Sequence, residues 1–272
     1  MIDTHVHTKH CPHAEGEVSE YVKAAKAKGI SVIGFSEHYP LPEGFKDPVG
    51  DCAMKRESLA GYLSELKAAR GPNVLAGTEV DYIPGYADEL KSLKGLGLDY
   101  VIGSVHFIGG WVFDYSDEVF AEGLRRQFGG DIDRCIGEYF RLVQGLVKSD
   151  AVDVVAHLDL IKKFNGGGKY FRGDNEAFAS GIERTLQLIR MKGLILEVNT
   201  SGFDKPAGDM YPSEDVLRRA HELDIGITLG SDAHKPSQVG RHFDKALACL
   251  RGIGYDRLCF FRGRNPDSVA LV

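Results

Sequence analysis

The chain is poor in several things that would steer it toward special classes. Among 272 residues there is one tryptophan, and the five cysteines (Cys11, Cys52, Cys135, Cys249, Cys259) are odd in number, widely spaced and without a C-x-x-C pair. That excludes a disulfide framework and a cysteine-rich zinc knuckle, leaving reduced thiols that behave as small hydrophobes. Cys11 lies two residues before His13 and is expected to be buried beside a site rather than to act in it. No apolar run approaches the ~18 residues of a membrane span, and the start Met1-Ile2-Asp3-Thr4-His5 has no basic or apolar leader, so a cytoplasmic protein is expected. Positive charge is also outnumbered. The 33 Lys+Arg against 39 Asp+Glu give a net charge of −6, which offers no basic face to nucleic acid or anionic lipid.

What is present reads as an ordinary globular domain, with 43% hydrophobic and 26% charged residues and neither linker nor internal repeat. The length suits one α/β barrel domain spanning residues 1–272. Short apolar runs predict buried strands at Ile2-Asp3-Thr4, 31–35, 74–77, 100–103, 152–156, 194–198 and 226–230, with a last one at Leu258-Cys259-Phe260-Phe261. Between them, Tyr21/Val22/Ala25, Leu59/Tyr62/Leu63/Leu66, Ile182/Leu186/Ile189 and Val216/Leu217/Ala220 recur at helical spacing. Gly29, Gly193 and Gly226 are expected as left-handed C-caps, and Ser19 and Ser213 as N-caps. Asn165-Gly166-Gly167-Gly168 reads as a mobile loop. Seven or eight β-then-α units predict a barrel of parallel strands.

Most of the ten histidines fall just after those strands. The strand ends carry His5 and His7, then His38, Glu79, His106, His157, and finally Asp232 with His234. In a β/α barrel the C-terminal strand ends converge on one mouth, so all of these metal-ligand types are expected together. Residues two apart in a strand share a face, which makes His5/His7 and Asp232/His234 two chelating arms. Buried histidines and carboxylates in such numbers need partners or a metal to offset desolvation. His221, His10 and His242 are read as ordinary surface or capping residues.

These residues resemble the PHP (polymerase and histidinol phosphatase) superfamily. The resemblance runs in order through His5-Val6-His7, Cys11-Pro12-His13, Phe35-Ser36-Glu37-His38, Gly103-Ser104-Val105-His106-Phe107, Ala156-His157-Leu158-Asp159, Glu197-Val198-Asn199-Thr200-Ser201-Gly202 and Gly230-Ser231-Asp232-Ala233-His234. The stretch Glu79-Val80-Asp81-Tyr82-Ile83-Pro84-Gly85 and residues 103–114 are similar to the histidinol-phosphatase branch. The resemblance implies a distorted TIM-like (β/α)7 barrel with a trinuclear metal centre. It implies that His5, His7, Glu79 and Asp232 hold one ion, that Glu79 bridges to a second held with His106 and His157, and that His13, His38 and His234 hold the third. The ions would be zinc, iron or manganese, since imidazole with carboxylate suits each.

Three divalent ions set against two carboxylates and a hydroxide leave about +3 at the centre, which favours a phosphomonoester dianion over a neutral substrate. The resemblance thus implies hydrolysis of L-histidinol phosphate to L-histidinol and phosphate, with a small phosphorylated molecule as the only partner expected. Oligomeric state is left open. Where the family often has Asp-His this chain has Glu37-His38, and where an arginine is common it reads Phe203-Asp204-Lys205. Lys205, Lys162 or Arg241 is therefore the candidate phosphate contact, and Glu15, Asp81 and Asp114 are candidates for the amine and imidazole of the substrate. Asp232 or a water held by metal is the candidate general acid, with Glu79 as bridge. The rival readings are another phosphoesterase of the same superfamily, acting on a nucleotide, sugar phosphate or phosphotyrosine; a proofreading exonuclease module, opposed by the negative charge; and a non-catalytic metal-binding domain, opposed by the full ligand set.

Overall fold

The apolar runs form short strands whose neighbours are helices packed through one apolar stripe. A computed structural model describes residues 1–86 and 88–271. In chain order these residues make β1 (Ile2–Val6), α1 (Val18–Ala27), β2 (Val32–Phe35), α2 (Leu59–Ala69), β3 (Val74–Ala76), β4 (Glu79–Asp81) and β5 (Ile102–Ser104). A small hairpin of β6 (Phe107–Ile108) and β7 (Trp111–Val112) leads to α3 (Asp117–Phe128) and α4 (Ile132–Lys148). Then follow β8 (Val154–Val155), α5 (Glu176–Lys192), β9 (Ile195–Asn199), α6 (Glu214–Glu222), β10 (Ile227–Gly230), α7 (Phe243–Ile253), β11 (Arg257–Arg262) and β12 (Asn265–Ala270). Among the described residues no helix is long and apolar enough to cross a membrane.

Two parallel sheets carry the fold, β1-β2-β3 and β10-β9-β8-β5-β4. Their strands are buried on both faces, as expected where helices cover a parallel sheet. The sheets meet at two places. β2 pairs with β3 from Ile33↔Val74 to Phe35↔Ala76, and the same spacing continues to a parallel bridge between His38 and Glu79. At the other edge Val6 bridges Ala233, with His7 N–H donating to Ala233 O at 2.8 Å. β3 and β4 are separated only by Gly77-Thr78, so the run read as one strand at 74–77 extends to Asp81 and changes sheets on the way.

Tyr100 shows how tightly this junction is filled. Its buried hydroxyl donates to Thr4 O at 2.6 Å and approaches Phe35 O at 3.2 Å, tying β1 to β2. A Cβ on Gly77 would lie 2.4 Å from the phenol carbon that bears the hydroxyl, so only glycine admits the ring.

Some sequence expectations need correction. The run Leu258-Phe261 is no further parallel strand: β11 pairs antiparallel with β12. Its turn is hooked by carboxylates at the N-terminal ends of β5 and β8. Gly263 N–H donates to Asp99 Oδ1 at 2.7 Å, and Arg264 Nε lies 3.2 Å from Asp153 Oδ2. Ser19 is inside α1, whose N-cap is Glu17 in a capping box with Glu20. Gly226 is not the C-cap of α6; the left-handed position after that helix is Asp224, at φ 55°. Gly29 and Gly193 do take left-handed conformations, and Ser213 is an N-cap position. The glycine run at 166–168 forms a short 3-10 turn closed by Asn165, which accepts from the N–H groups of Tyr170 (2.8 Å) and Phe171 (3.0 Å).

Candidate metal centre

The C-terminal ends of the parallel strands deliver the expected side chains to one place. Glu79, fully buried at the head of β4, is the hub. Its Oε2 lies 3.2 Å from His5 Nε2, 3.0 Å from His38 Nδ1 and 3.6 Å from His7 Nε2. Its Oε1 lies 3.0 Å from His157 Nε2 and 3.8 Å from His106 Nε2. Asp232 Oδ1 faces His7 Nε2 at 3.4 Å, His234 Nδ1 at 3.5 Å and His5 Nε2 at 3.9 Å. His13 reaches the cluster from the loop after β1, its ring stacked on His234 with centroids 4.9 Å apart, while its Nδ1 donates to Asp51 O at 2.8 Å.

The two i, i+2 pairs arise differently. His5 and His7 share a face of the extended chain, with Nε2 atoms 3.0 Å apart. Asp232 lies beyond β10 in the left-handed region, at φ 49°, an unfavourable conformation for a residue with a side chain. The turn is held by Arg241, whose Nη2 donates to Asp232 O at 2.7 Å and whose Nε donates to Ser231 O at 2.8 Å. A strand pleat was expected here, and a strained turn does the work instead.

Electrostatics divide the cluster: His7, His13 and His234 are pushed toward the neutral form, while His5, His38 and His106 are pushed toward the charged one. Burial opposes charge on Glu79, but His5, His38 and His106 outweigh it and hold its pKa well below the ordinary carboxylate value. The same balance, with His5, His7 and His234, keeps Asp232 low. Burial, then repulsion from neighbouring imidazoles, pushes His7 well below its usual value. Burial likewise lowers His13, with repulsion from His38 adding to it, and it takes His234 down to about 4 despite the attraction of Asp232. Neutral imidazole is the form that ligates. On His5, burial is overcome by Glu197, Glu79 and Asp232 and the pKa rises; on His106, burial is overcome by Asp81 and Asp114 and it rises to about 10. The carboxylates thus draw positive charge into the space between the rings, which a proton or a cation can answer.

Among the described residues three ligand-type atoms of this cluster, His7 Nδ1, His38 Nδ1 and Glu79 Oε2, are buried with no well-aligned hydrogen bond, although the last two approach each other at 3.0 Å; that is a costly arrangement unless something else binds them. The donors fall into overlapping groups whose atoms lie within 4.8 Å of one another: His5/His7/Asp232, Glu79/His106/His157, His38/Asp81/His106 and His7/Cys11/His38/His234. Imidazole with carboxylate at this spacing fits divalent metal ions.

Beside the cluster opens a cavity of about 380 Å³, lined by Asp81, Asp114, Lys163, Lys205, Asp232 and Arg241 among others. Of the candidate phosphate contacts, Lys205 and Arg241 stand on its wall. Lys162 does not. It is buried and committed to Asp159 (2.9 Å) and Asp209 (3.0 Å), while Lys163, overlooked in the sequence, lines the cavity and pairs with Asp114 at 2.9 Å. A 3-10 turn over Leu160–Lys162 rotates adjacent lysines to different sides, which sequence alone does not reveal. Glu15 is also misplaced by the sequence reading: its exposed carboxylate lies outside the cavity lining and pairs with Lys235 at 3.4 Å. Asp81 orients His106 through a 2.9 Å contact to Nδ1.

Glu197 received no role from the sequence, although a carboxylate inside the apolar run 194–198 was a signal. Fully buried in β9, its Oε1 lies 2.5 Å from His5 Nδ1, and its Oε2 accepts from His157 N–H at 2.9 Å. It therefore fixes which nitrogen of His5 faces the centre. Ser201 and Asn199 reach Asp232 Oδ2 at 3.2 and 3.4 Å.

A parallel α/β fold with a histidine and carboxylate cluster at its strand ends defines a metal-binding class of protein. The PHP domain family model matches residues 3–201, and the chain belongs to that family. It is 36% identical over 271 residues to a protein of Deinococcus radiodurans named "Probable histidinol-phosphatase", covering 97% of this chain and 98% of that one. It is 33% identical over 265 residues to the histidinol-phosphatase of Bacillus subtilis, covering 90% and 97%. A solved structure from Listeria monocytogenes, described as a candidate histidinol phosphatase, superposes with TM-score 0.81 at 28% identity, covering 90% of this chain and 99% of that one.

Proposed function

We propose that this chain is a histidinol-phosphatase, a phosphoric monoester hydrolase that converts L-histidinol phosphate to L-histidinol and phosphate. The observation that carries the reading is the hub at Glu79, with His5, His38 and His157 each about 3 Å from its oxygens, set beside a cavity whose wall bears Lys163, Lys205 and Arg241. Full-length similarity to proteins bearing the histidinol-phosphatase name supports it. We read residues 1–272 as one domain, and the two sheets, joined in continuous register at His38/Glu79 and again at Val6/Ala233, as one distorted barrel of seven staves in which β3 and β4 count together.

The centre would hold three divalent ions, zinc, iron or manganese. His5, His7, Glu79 and Asp232 would take one, Glu79 with His106 and His157 a second, and His13, His38 and His234 the third. When bound, such ions polarise the phosphate and activate water as a nucleophile.

The chain's own residues do the rest. Lys205, whose ammonium makes no hydrogen bond or ion pair among the described residues and whose pKa burial lowers, awaits an anion. Arg241 is pinned by the carbonyls of Ser231 and Asp232 and presents its positive charge from a fixed position. Lys163, paired with Asp114, also lines the cavity and can turn its ammonium to the phosphate. Together they hold the phosphate so that water attacks phosphorus opposite the ester oxygen and the P–O ester bond breaks. Asp232, steadied by Ser201 and Asn199, is placed to take the proton of the attacking water and pass it to the departing alkoxide. Asp114 and Asp81 supply carboxylates to the cavity lining, suiting the amine and imidazole of the product alcohol.

Activity across a panel of phosphomonoesters, with metal content measured on the same preparation, tests this. Histidinol phosphate should rank first. A nucleotide, sugar phosphate or phosphotyrosine ranked well above it would replace the substrate while keeping the chemistry, and absence of all phosphatase activity in a metal-replete protein would remove the reading.

A further inference from the structure

Cys11 has no work in the proposed function, yet its surroundings are those of a ligand. The residue is wholly buried, in a tight turn after β1 where its N–H donates to Thr8 O at 2.9 Å and its carbonyl accepts from Ala14 N–H at 3.1 Å. That turn brings its sulfur, with one donor atom each from His7, His38 and His234, into a set spanning no more than 4.8 Å. His13 belongs to none of these close sets and stands exposed toward the mouth, 3.4 Å from the sulfur through Nε2. A second sign comes from the same place: among the described residues His7 Nδ1 is buried without a hydrogen bond, and His38 Nδ1 is buried with no aligned hydrogen bond, only a 3.0 Å approach to Glu79 Oε2. Cys52, the other thiol near the site, lies on the cavity wall and in none of the close sets.

Building on the metal reading above, we infer that Cys11 is a thiolate ligand of the third ion, which is thereby held by Cys11, His13, His38 and His234. Binding exchanges the S–H bond for a sulfur–metal bond and releases the proton to solvent, with no change of oxidation state. One sulfur among three nitrogens makes a four-coordinate, softer site than the other two. It favours zinc, iron or cobalt over magnesium and manganese, whose preferred donors are oxygen. The thiolate also removes one positive charge from the centre.

Full-length protein loaded with cobalt(II) alone tests this by absorption spectroscopy, with bound cobalt counted by elemental analysis. The wild type and Cys52→Ser should show a thiolate-to-cobalt charge-transfer band in the near ultraviolet. Cys11→Ser should lose that band and bind one equivalent at least tenfold more weakly, while the remaining cobalt keeps its visible ligand-field absorption. X-ray absorption of the zinc-loaded wild type should show a sulfur shell at about 2.3 Å, a readout that needs no variant to fold. Three bound equivalents with no charge-transfer band and no sulfur shell would overturn the assignment, as would a band lost in Cys52→Ser but kept in Cys11→Ser. Failure to bind cobalt at all would sink the metal reading itself, a result distinct from full loading without sulfur.

Discussion

Glu197 Oε1 and His5 Nδ1 lie 2.5 Å apart although 192 positions separate them in the chain. The pair is completed by an absence: a Cβ on Gly230 of β10 would stand 2.1 Å from that same carboxylate oxygen. Three neighbouring strands thus set the orientation of one imidazole. Removing the negative charge with Glu197→Gln should weaken metal binding by about 10- to 100-fold, the usual effect of losing a group that orients a metal-ligating histidine. Equilibrium dialysis with zinc reads this directly. Gly230→Ala should reproduce much of the loss by displacing the carboxylate, and unchanged affinity in both variants would show that His5 needs no such support.

Glu79 makes a sharper case. Because its two oxygens face different imidazoles, Glu79→Gln should disturb two ions together and lower kcat by about 10²-fold or more, since metal-based charge stabilisation is worth several kcal/mol. Metal content and turnover are the measurements. Full activity with the full metal complement in this variant would remove the bridging role.

Neighbouring lysines should behave in opposite ways. Lys205→Ala removes a charge from the cavity wall and should cost about 1.5–3 kcal/mol of phosphate binding, a ten- to hundredfold rise in KM, with little change in stability. Lys162→Ala leaves Asp159 buried and unpaired, so about 3–5 kcal/mol of stability should be lost. KM of the protein that remains folded should be close to wild type. Denaturant melts beside steady-state kinetics separate the two, and a larger KM effect at Lys162 than at Lys205 would contradict the placement.

Stripping metal should also be visible without substrate. Ions that bind the folded state at a hundred times their dissociation constant add about 2.7 kcal/mol, and for a chain of this size each kcal/mol moves Tm by about 2–4 °C. Chelation should therefore lower Tm by about 5–10 °C, and added zinc should restore it. A Tm indifferent to chelator would mean that the orphaned donors at Glu79, His7 and His38 are satisfied in some other way.

Beneath the site, Tyr100→Phe should cost about 1 kcal/mol by leaving the Thr4 carbonyl short of its donor. Gly77→Ala should cost about 1–3 kcal/mol by overpacking against the same ring. Thermal melts of the single variants check both, and a stabilised Gly77→Ala would show that the ring can move aside.

The amino-acid sequence by itself determined which residues could ligate and where along the chain they would stand. Apolar runs long enough only for buried parallel strands end in histidine or carboxylate at His5, His38, Glu79, His106, His157 and Asp232, and that order is a local property of each segment. Tertiary structure alone decided the rest, because each remaining choice depends on contacts between distant segments or on how a short turn is wound. Whether Lys162 or Lys163 faces the cavity depends on a single 3-10 turn. The shared face of Asp232 and His234 comes from a strained turn braced by Arg241, and the last apolar run pairs as a hairpin whose turn is held by Asp99 and Asp153. Glu197 looked like a misplaced charge in an apolar strand until β1 lay beside it, since only a neighbour from another part of the chain could offset the cost of burying it.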